Sequence, residues 1–178
     1  MLHFPTDHPG AVAAFKAEAT FTLHYSRDRL LHCIAQLTPT QFWQRPGDAA
    51  ADPPMNAVGN TVLHVCGNLR QWIVIGCDPD EALTDNRDRP SEFSADATSG
   101  LLPEAAATLL RDTVDAAAQT IARLNKDHLL ETRSIQGFAP TRMGAVWHSV
   151  AHLEGHAQET VFATRMMLGA GYRFKDLY

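Results

Sequence analysis

The sequence predicts an all-α protein whose helices form a four-helix bundle. Four segments repeat apolar residues at intervals of three and four, which is the spacing of one face of a helix. Alternation of apolar and polar residues, which indicates a half-buried strand, is almost absent. A long polar connection follows the second helical segment, and some bundles contain such a crossover. We therefore expect a single domain over residues 1–178, a length that can bury a substantial core.

The first helix is predicted to run from Pro9 to the residues just before Pro39, because a proline displaces the preceding residue from the α region. His24, Asp28 and His32 recur at i, i+4 and i+8 on its outer face. This row is one candidate for metal binding. Polar rows on an outer helix face are usually solvated, so we rank it second to the histidine pair described below.

The second helix is predicted over residues 61–76, TVLHVCGNLRQWIVIG, after an irregular, proline-rich segment. His64 lies on one flank of its apolar stripe, and Asn68 lies on the same line one turn later. The stripe itself consists of Val58, Val62, Val65, Leu69, Trp72, Ile73 and Gly76. His64 is therefore expected at the edge of a helix interface.

The polar segment between Cys77 and Leu102 shows neither helical nor strand periodicity, and a crossover connection explains its length. Pro103 then occupies the first turn of an alanine-rich third helix that extends to Leu124. Residues 125–142 are predicted to be a connection, with a short extended piece at 131–136. The last helix follows and runs to Gly169.

The last helix carries the most informative pattern, HSVAHLEGHAQETVF at residues 148–162. His152 and His156 are four residues apart, so their imidazoles project from one face and can reach one ion. Both lie on a flank of the stripe that contains Val150 and Leu153. His148 projects nearly opposite that stripe and is expected in solvent.

Three neutral imidazoles leave a fourth position open on Zn²⁺, which is typical of a catalytic rather than a structural site. Ni²⁺ also accepts imidazole ligands. The carboxylate-rich sites of bundles need Glu-x-x-His, which this sequence lacks. Pairs of histidines at this spacing also arise by chance among nine histidines, so a helical bundle without a site stays open at this point.

The composition limits the partners and the compartment. The formal net charge is −5 at pH 7, and nucleic-acid or anionic-membrane binding would favour a basic patch instead. No apolar run approaches the roughly 18 residues of a membrane span. The amino terminus, MLHFPTDHPG, has no signal-peptide pattern, and the three cysteines form no CxxC pair. We expect a cytoplasmic protein with no nucleic-acid or membrane partner.

Two stretches in this order, TVLHVCGNLRQW and HSVAHLEGHAQETVF, resemble the DinB/YfiT-like superfamily of small helical bundles. The segment RDRPSEF, Arg87–Phe93, is similar to the crossover of a subgroup with the GNLRQW motif. The resemblance implies an up-down-down-up bundle, often a homodimer, that binds a divalent ion. It also implies that His64, His152 and His156 are the ligands. Many relatives have Arg and Gly after the last histidine, where this chain differs.

The resemblance further implies metal-dependent chemistry on a low-molecular-weight thiol, such as thiol S-transfer or thiol-dependent isomerisation. The ion would ionise the thiol, which then attacks an electrophile. Three further residues are candidates for catalysis: Glu159 as a proton acceptor or partner of a ligand, Arg70 as a site for an anionic group, and Asn68. A hydrolase that uses a hydroxide on the three histidines and a noncatalytic metal-binding or stress-related bundle are the alternatives.

Overall fold

Each of the four long helices predicted from periodicity is present. The computed structural model describes residues 8–47, 51 and 54–174; residues 1–7, part of the stretch where we expect no signal peptide, lie outside the described residues. The α-helices are α1 (Ala11–Ile34), α2 (Pro39–Phe42), α3 (Val58–Leu69), α4 (Arg89–Ser94), α5 (Pro103–Arg123), α6 (Lys126–Leu130) and α7 (Arg142–Leu168).

The four long helices, α1, α3, α5 and α7, form an up-down-down-up bundle. Helix α1 packs against α5 and α7, and α3 packs against the same two, so α1 and α3 are diagonal. Lys16 donates to the carbonyl of Leu124 at 3.0 Å, which makes α1 and α5 antiparallel. Arg123 pairs with Asp78 just beyond the end of α3, so α3 and α5 are parallel. Arg142, the first residue of α7, donates to the carbonyl of Asp78, so α7 runs opposite to α3.

One apolar core draws on all four long helices. The apolar residues that repeat every three or four positions are buried along α3 and α5, except that Leu109 is exposed. Core residues without measurable exposure include Leu23, Leu30, Val62, Val65, Ile73, Leu110, Val114, Ile121 and Val146. None of the helices in the described ranges combines the length and the apolar character that crossing a membrane requires.

The first helix ends at Ile34, which is earlier than predicted. Pro39 does not terminate it. Instead, Pro39 begins the short helix α2, where its missing N–H costs nothing in a first turn. The Thr38 hydroxyl accepts a hydrogen bond from the backbone N–H of Gln41 and so caps this helix.

Both connections contain more structure than their patterns predict. The crossover includes α4 and a single 3₁₀ turn, Ala97–Ser99, neither of which is long enough to show periodicity. The connection before α7 contains α6 and two isolated antiparallel bridges, Thr132 with Thr141 and Ile135 with Phe138. The extended piece expected at 131–136 is therefore one side of a narrow hairpin-like turn.

Helix α3 continues into a π-helical segment, Arg70–Ile75, where a regular α-helix is predicted. The N–H of Gly76 donates to the carbonyl of Gln71, five residues earlier, at 3.0 Å. The wider turn changes the direction in which the following side chains project, and such segments often occur at functional sites. Gln71 and Trp72, on this segment, both contribute to the site described next.

Candidate metal centre

The antiparallel packing of α3 and α7 brings His64 against His152 and His156. One ring nitrogen from each of the three lies within 4.8 Å of the others. The Nε2 atoms of His64 and His152 are 3.1 Å apart. The described residues thus contain the histidine triad that the resemblance implies.

Carboxylates fix the orientation of two of the three rings. Nδ1 of His64 lies 3.0 Å from Glu92 Oε2, and Nδ1 of His156 lies 2.7 Å from Glu159 Oε2. An ionised carboxylate can only accept, so each Nδ1 donates its proton and each Nε2 keeps its lone pair. Arg87 Nη2 also lies 3.1 Å from Nδ1 of His64, but its two N–H groups have oxygen acceptors in Glu92 Oε2 and the His64 carbonyl. Metal-binding histidines in proteins are usually held in this way by a second hydrogen bond.

His152 is held by ring packing instead. Its ring centroid lies 4.9 Å from that of His64 and 4.5 Å from that of His156. Its Nδ1 is buried and has no hydrogen-bond partner in the part of the chain that the structure describes. His152 therefore depends on its neighbours for its position.

The site favours neutral imidazoles. Burial, together with the positive charge that nearby His156 and His64 could carry, lowers the pKa of His152 to about 3. Burial also lowers the pKa of His64, although its hydrogen bond to Glu92 opposes the shift. Neutral imidazole is the form that binds a metal ion, so these two ligands need not lose a proton first.

The donor set fits a divalent ion. With bonds of about 2.0–2.1 Å in tetrahedral geometry, ligand nitrogens lie about 3.3 Å from one another. The 3.1 Å distance between the Nε2 atoms of His64 and His152 is close to this value. All three ligand nitrogens lie within 4.8 Å of one another, so a small side-chain adjustment brings them to this spacing. The triad could therefore hold a divalent metal ion.

Glu92 is itself held by Arg87, whose side chain is 6% exposed and which the sequence did not single out. Arg87 donates from Nε to Oε1 of Glu92 at 2.7 Å and from Nη2 to Oε2 at 2.8 Å. Its Nη1 donates to Gln71 Oε1 on the π-helical segment at 2.9 Å. A bidentate pair of this kind fixes the carboxylate and compensates its charge. The one signal for Arg87 and Glu92 in the sequence is the RDRPSEF segment, for which no residue role was predicted.

The crossover is anchored to α3 by main-chain contacts. Asn60, which is fully buried, donates from Nδ2 to the carbonyls of Glu92 at 3.0 Å and Ala95 at 2.8 Å. Gly67 leaves room for the approach, because a Cβ at that position would lie 2.0 Å from Glu92 Oε1. The crossover is therefore a structural part of the site.

The triad lies at the wall of a cavity of about 730 Å³, to which His64 and His152 contribute. Trp72 and Phe138 form an apolar part of this wall, with ring centroids 6.3 Å apart. His148 is exposed, as predicted, yet it also lines the cavity, because its ring lies 4.1 Å from that of Trp72. The helical pattern missed this contact, since Trp72 comes from another helix.

The three predicted catalytic residues occupy different positions. Glu159 contacts the triad through a hydrogen bond to His156. This hydrogen bond lowers the pKa of the Glu159 carboxyl group. Asn68 is buried, lines the cavity and accepts a hydrogen bond from Ser149 Oγ at 2.9 Å. Arg70 is exposed and does not line the cavity, so the structure does not bring it to the site.

The alternative ligand row on α1 is not assembled into a site. His24 lies 3.5 Å from Asp115, whereas Nε2 of His32 lies 2.6 Å from the carbonyl oxygen of Arg173. Asp28 pairs with Arg27 instead. The row is a set of surface contacts, which agrees with its lower rank.

Comparisons with known proteins identify the family and the fold. A family described as protein of unknown function (DUF1572) matches residues 12–176. A DinB-like protein from Bacillus cereus superposes with a TM-score of 0.62 at 13% identity, over 87% of this chain and 92% of that one. A conserved protein from Enterococcus faecalis gives a TM-score of 0.59 at 15% identity, over 85% of this chain and 95% of that one.

No curated protein matches the sequence significantly. At these identities the structural likenesses carry the fold alone, and they agree with the up-down-down-up arrangement that the sequence predicts. The chain therefore belongs to the DUF1572 family, and it shares its fold with the DinB-like protein from Bacillus cereus.

Proposed function

We propose that this protein binds a divalent metal ion and transfers a low-molecular-weight thiol to an electrophilic substrate. The observation that carries the proposal is the convergence of His64, His152 and His156 beside a cavity that the first two of them line. Two of these imidazoles have Nδ1 bound to a carboxylate, so their Nε2 lone pairs are available to an ion. The open face of such a site is where a small ligand could bind.

The chemistry needs a nucleophilic sulfur, and the cysteines of this chain are poorly suited to supply it. Cys33, Cys66 and Cys77 are all buried. Burial raises the pKa of the Cys66 and Cys77 thiols to about 12, and it raises the pKa of Cys33 as well. Thiols of this kind are inert near neutral pH. The nucleophile of the proposed reaction is therefore a small thiol that enters the cavity.

A bound Zn²⁺ or Ni²⁺ would lower the pKa of such a thiol and favour thiolate near neutral pH. The thiol proton leaves to solvent, the sulfur forms a bond to the electrophilic carbon, and the leaving group departs with its electron pair. Glu92 and Glu159 keep His64 and His156 in the binding tautomer throughout. Trp72 and Phe138 provide an apolar surface beside the reacting groups.

The test combines metal content with turnover. Elemental analysis of protein incubated with Zn²⁺ or Ni²⁺ measures the bound ion, and an assay with glutathione, bacillithiol or mycothiol against monochlorobimane measures transfer. We expect one ion per chain and metal-dependent turnover that falls at least about 100-fold in His64→Ala. His24→Ala, which removes an imidazole outside the site, should keep wild-type turnover.

Equal turnover in His64→Ala and the wild type would exclude a role of the triad in transfer. A bound ion without turnover of any of these thiols would instead favour the hydrolase or the noncatalytic bundle. The homodimer implied by the resemblance and the cytoplasmic location stay predictions.

A further inference from the structure

The cavity beside the triad is lined by basic side chains, although the chain as a whole carries a net charge of −5. Arg87 and Arg89 both line it, and no Asp or Glu occurs among the described residues that do. The side-chain oxygen of Asn68 accepts from Ser149, which leaves its amide N–H groups as donors. The lining thus offers donors and positive charge, a combination that attracts anions.

The two arginines differ in what compensates their charge. Arg87 donates to both carboxylate oxygens of Glu92, which compensates its charge. Arg89 is exposed, and in the described ranges no carboxylate lies within ion-pair distance of it. A guanidinium without a carboxylate partner can bind a ligand carboxylate through two parallel N–H donors.

Aromatic packing holds Arg89 near the triad. Its guanidinium carbon lies 5.1 Å from the centroid of the Phe93 ring, and that ring lies 4.8 Å from the ring of His64. A guanidinium over an aromatic face gains a modest cation–π attraction. Arg89 is thereby kept on the side of the cavity where the histidines are.

The part of the cavity wall formed by Trp72 and Phe138 is apolar. Both side chains line the cavity, and the Trp72 ring is flanked by His148 at 4.1 Å. Such a surface accommodates a planar or apolar group. The cavity therefore combines an apolar wall with one uncompensated cation.

We propose that this cavity binds a molecule with a carboxylate and a planar or apolar part, and that Arg89 binds the carboxylate. This proposal rests on the proposed function, because the molecule would be one of the two reactants of the transfer. It assigns to Arg89 the anion-binding role that the sequence suggested for Arg70.

The test uses two probes of equal shape, phenylacetate and phenylacetamide, which differ in charge. Each is titrated into protein freed of metal with EDTA, while ¹H–¹⁵N NMR follows the indole N–H signal of Trp72, assigned by comparison with Trp72→Phe. We expect phenylacetate to bind at least about tenfold more tightly than phenylacetamide. Arg89→Gln should reduce this preference below about threefold, and Arg70→Gln, the matched surface control, should keep it.

Equal affinities of the two probes, or an equal preference in Arg89→Gln and Arg70→Gln, would overturn the proposal. So would shifts confined to the indole signals of Trp43 and Trp147. Neither metal nor thiol is present in this measurement, so its failure is distinguishable from failure of the transfer assay. Where transfer is observed, a raised KM for the thiol in Arg89→Gln assigns the carboxylate to the thiol. An unchanged KM assigns it to the natural electrophile, because monochlorobimane itself has no carboxylate.

Discussion

Nδ1 of His64 lies 3.0 Å from a carboxylate oxygen of Glu92, a residue 28 positions further along the chain. The crossover thus supplies the group that sets the tautomer of a histidine on α3. If His64 binds an ion, Glu92 affects the affinity without touching the ion. The predictions below follow from this relationship and from the packing around it.

Glu92→Gln is expected to weaken Zn²⁺ binding by about 10- to 100-fold, the usual effect of losing a partner of a ligating histidine. The amide can present its NH₂ group to Nδ1, which would favour the wrong tautomer. Competition titration against a zinc chelator measures the affinity. Glu18→Gln, an exposed glutamate on α1, is the control. Identical affinities of the two variants would contradict a role for Glu92.

Alanine at His64, His152 or His156 is expected to abolish stoichiometric zinc binding, because two imidazoles and water hold Zn²⁺ far less tightly than three. His24→Ala should still bind one ion per chain. Elemental analysis after gel filtration gives the stoichiometry. Retention of a full equivalent of zinc in His152→Ala would place the ion elsewhere.

Zinc is expected to stabilise the folded chain, since the triad is assembled only when α3 and α7 pack. At a free concentration 100 times the Kd the gain is about 2.7 kcal/mol, which corresponds to roughly 5–10 °C in Tm for a chain of this size. Differential scanning calorimetry with and without the ion measures the shift. His156→Ala should show little zinc-induced rise in Tm. A rise as large as that of the wild type would argue against zinc binding by the triad.

Gly67→Ala is expected to weaken zinc binding, because the new methyl group would lie 2.0 Å from Glu92 Oε1 and 2.8 Å from Arg87 Nε. Glu92 must then move away from His64. Gly155→Ala is the matched control, since no atom lies within 4 Å of a Cβ at that helical position. Alanine there should stabilise the protein by about 0.5–1 kcal/mol. Chemical denaturation and zinc titration of both variants separate the two effects, and unaltered zinc affinity in Gly67→Ala would refute the steric argument.

The free energy of unfolding is expected to depend on the ionisation of Asp78. Burial would raise the pKa of this carboxyl group, but hydrogen bonds from Arg123 and the N–H groups of Ala82 and Asp80 together lower it. A lowered folded-state pKa contributes stability above the unfolded value of about 3.9, and that stability is lost as the pH falls through the folded value.

Urea denaturation between pH 6 and pH 3 measures this loss. The free energy of unfolding should fall more steeply with decreasing pH in the wild type than in Asp78→Asn, which cannot titrate. Asp112→Asn, an exposed position on α5, should follow the wild-type curve. Parallel curves for the wild type and Asp78→Asn would show that this carboxylate contributes nothing.

The sequence by itself determined the four long helices, because helical periodicity is a local property of each segment. It also determined that His152 and His156 share a face, since residues four apart on one helix always do. The buried stripes of α3 and α5 followed from the same spacing. The ends of elements were less certain: Pro39 begins a helix rather than ending one, because a first turn does not need its N–H.

Only the tertiary structure decided which groups meet. His64 reaches His152 because α3 and α7 pack antiparallel, and Glu92 reaches His64 because Asn60 fixes the crossover. Arg70, at the start of the π-helical segment, is exposed and outside the cavity, to which the crossover instead contributes Arg89. Each of these contacts joins residues far apart in the chain, so it depends on how whole elements pack and not on local spacing.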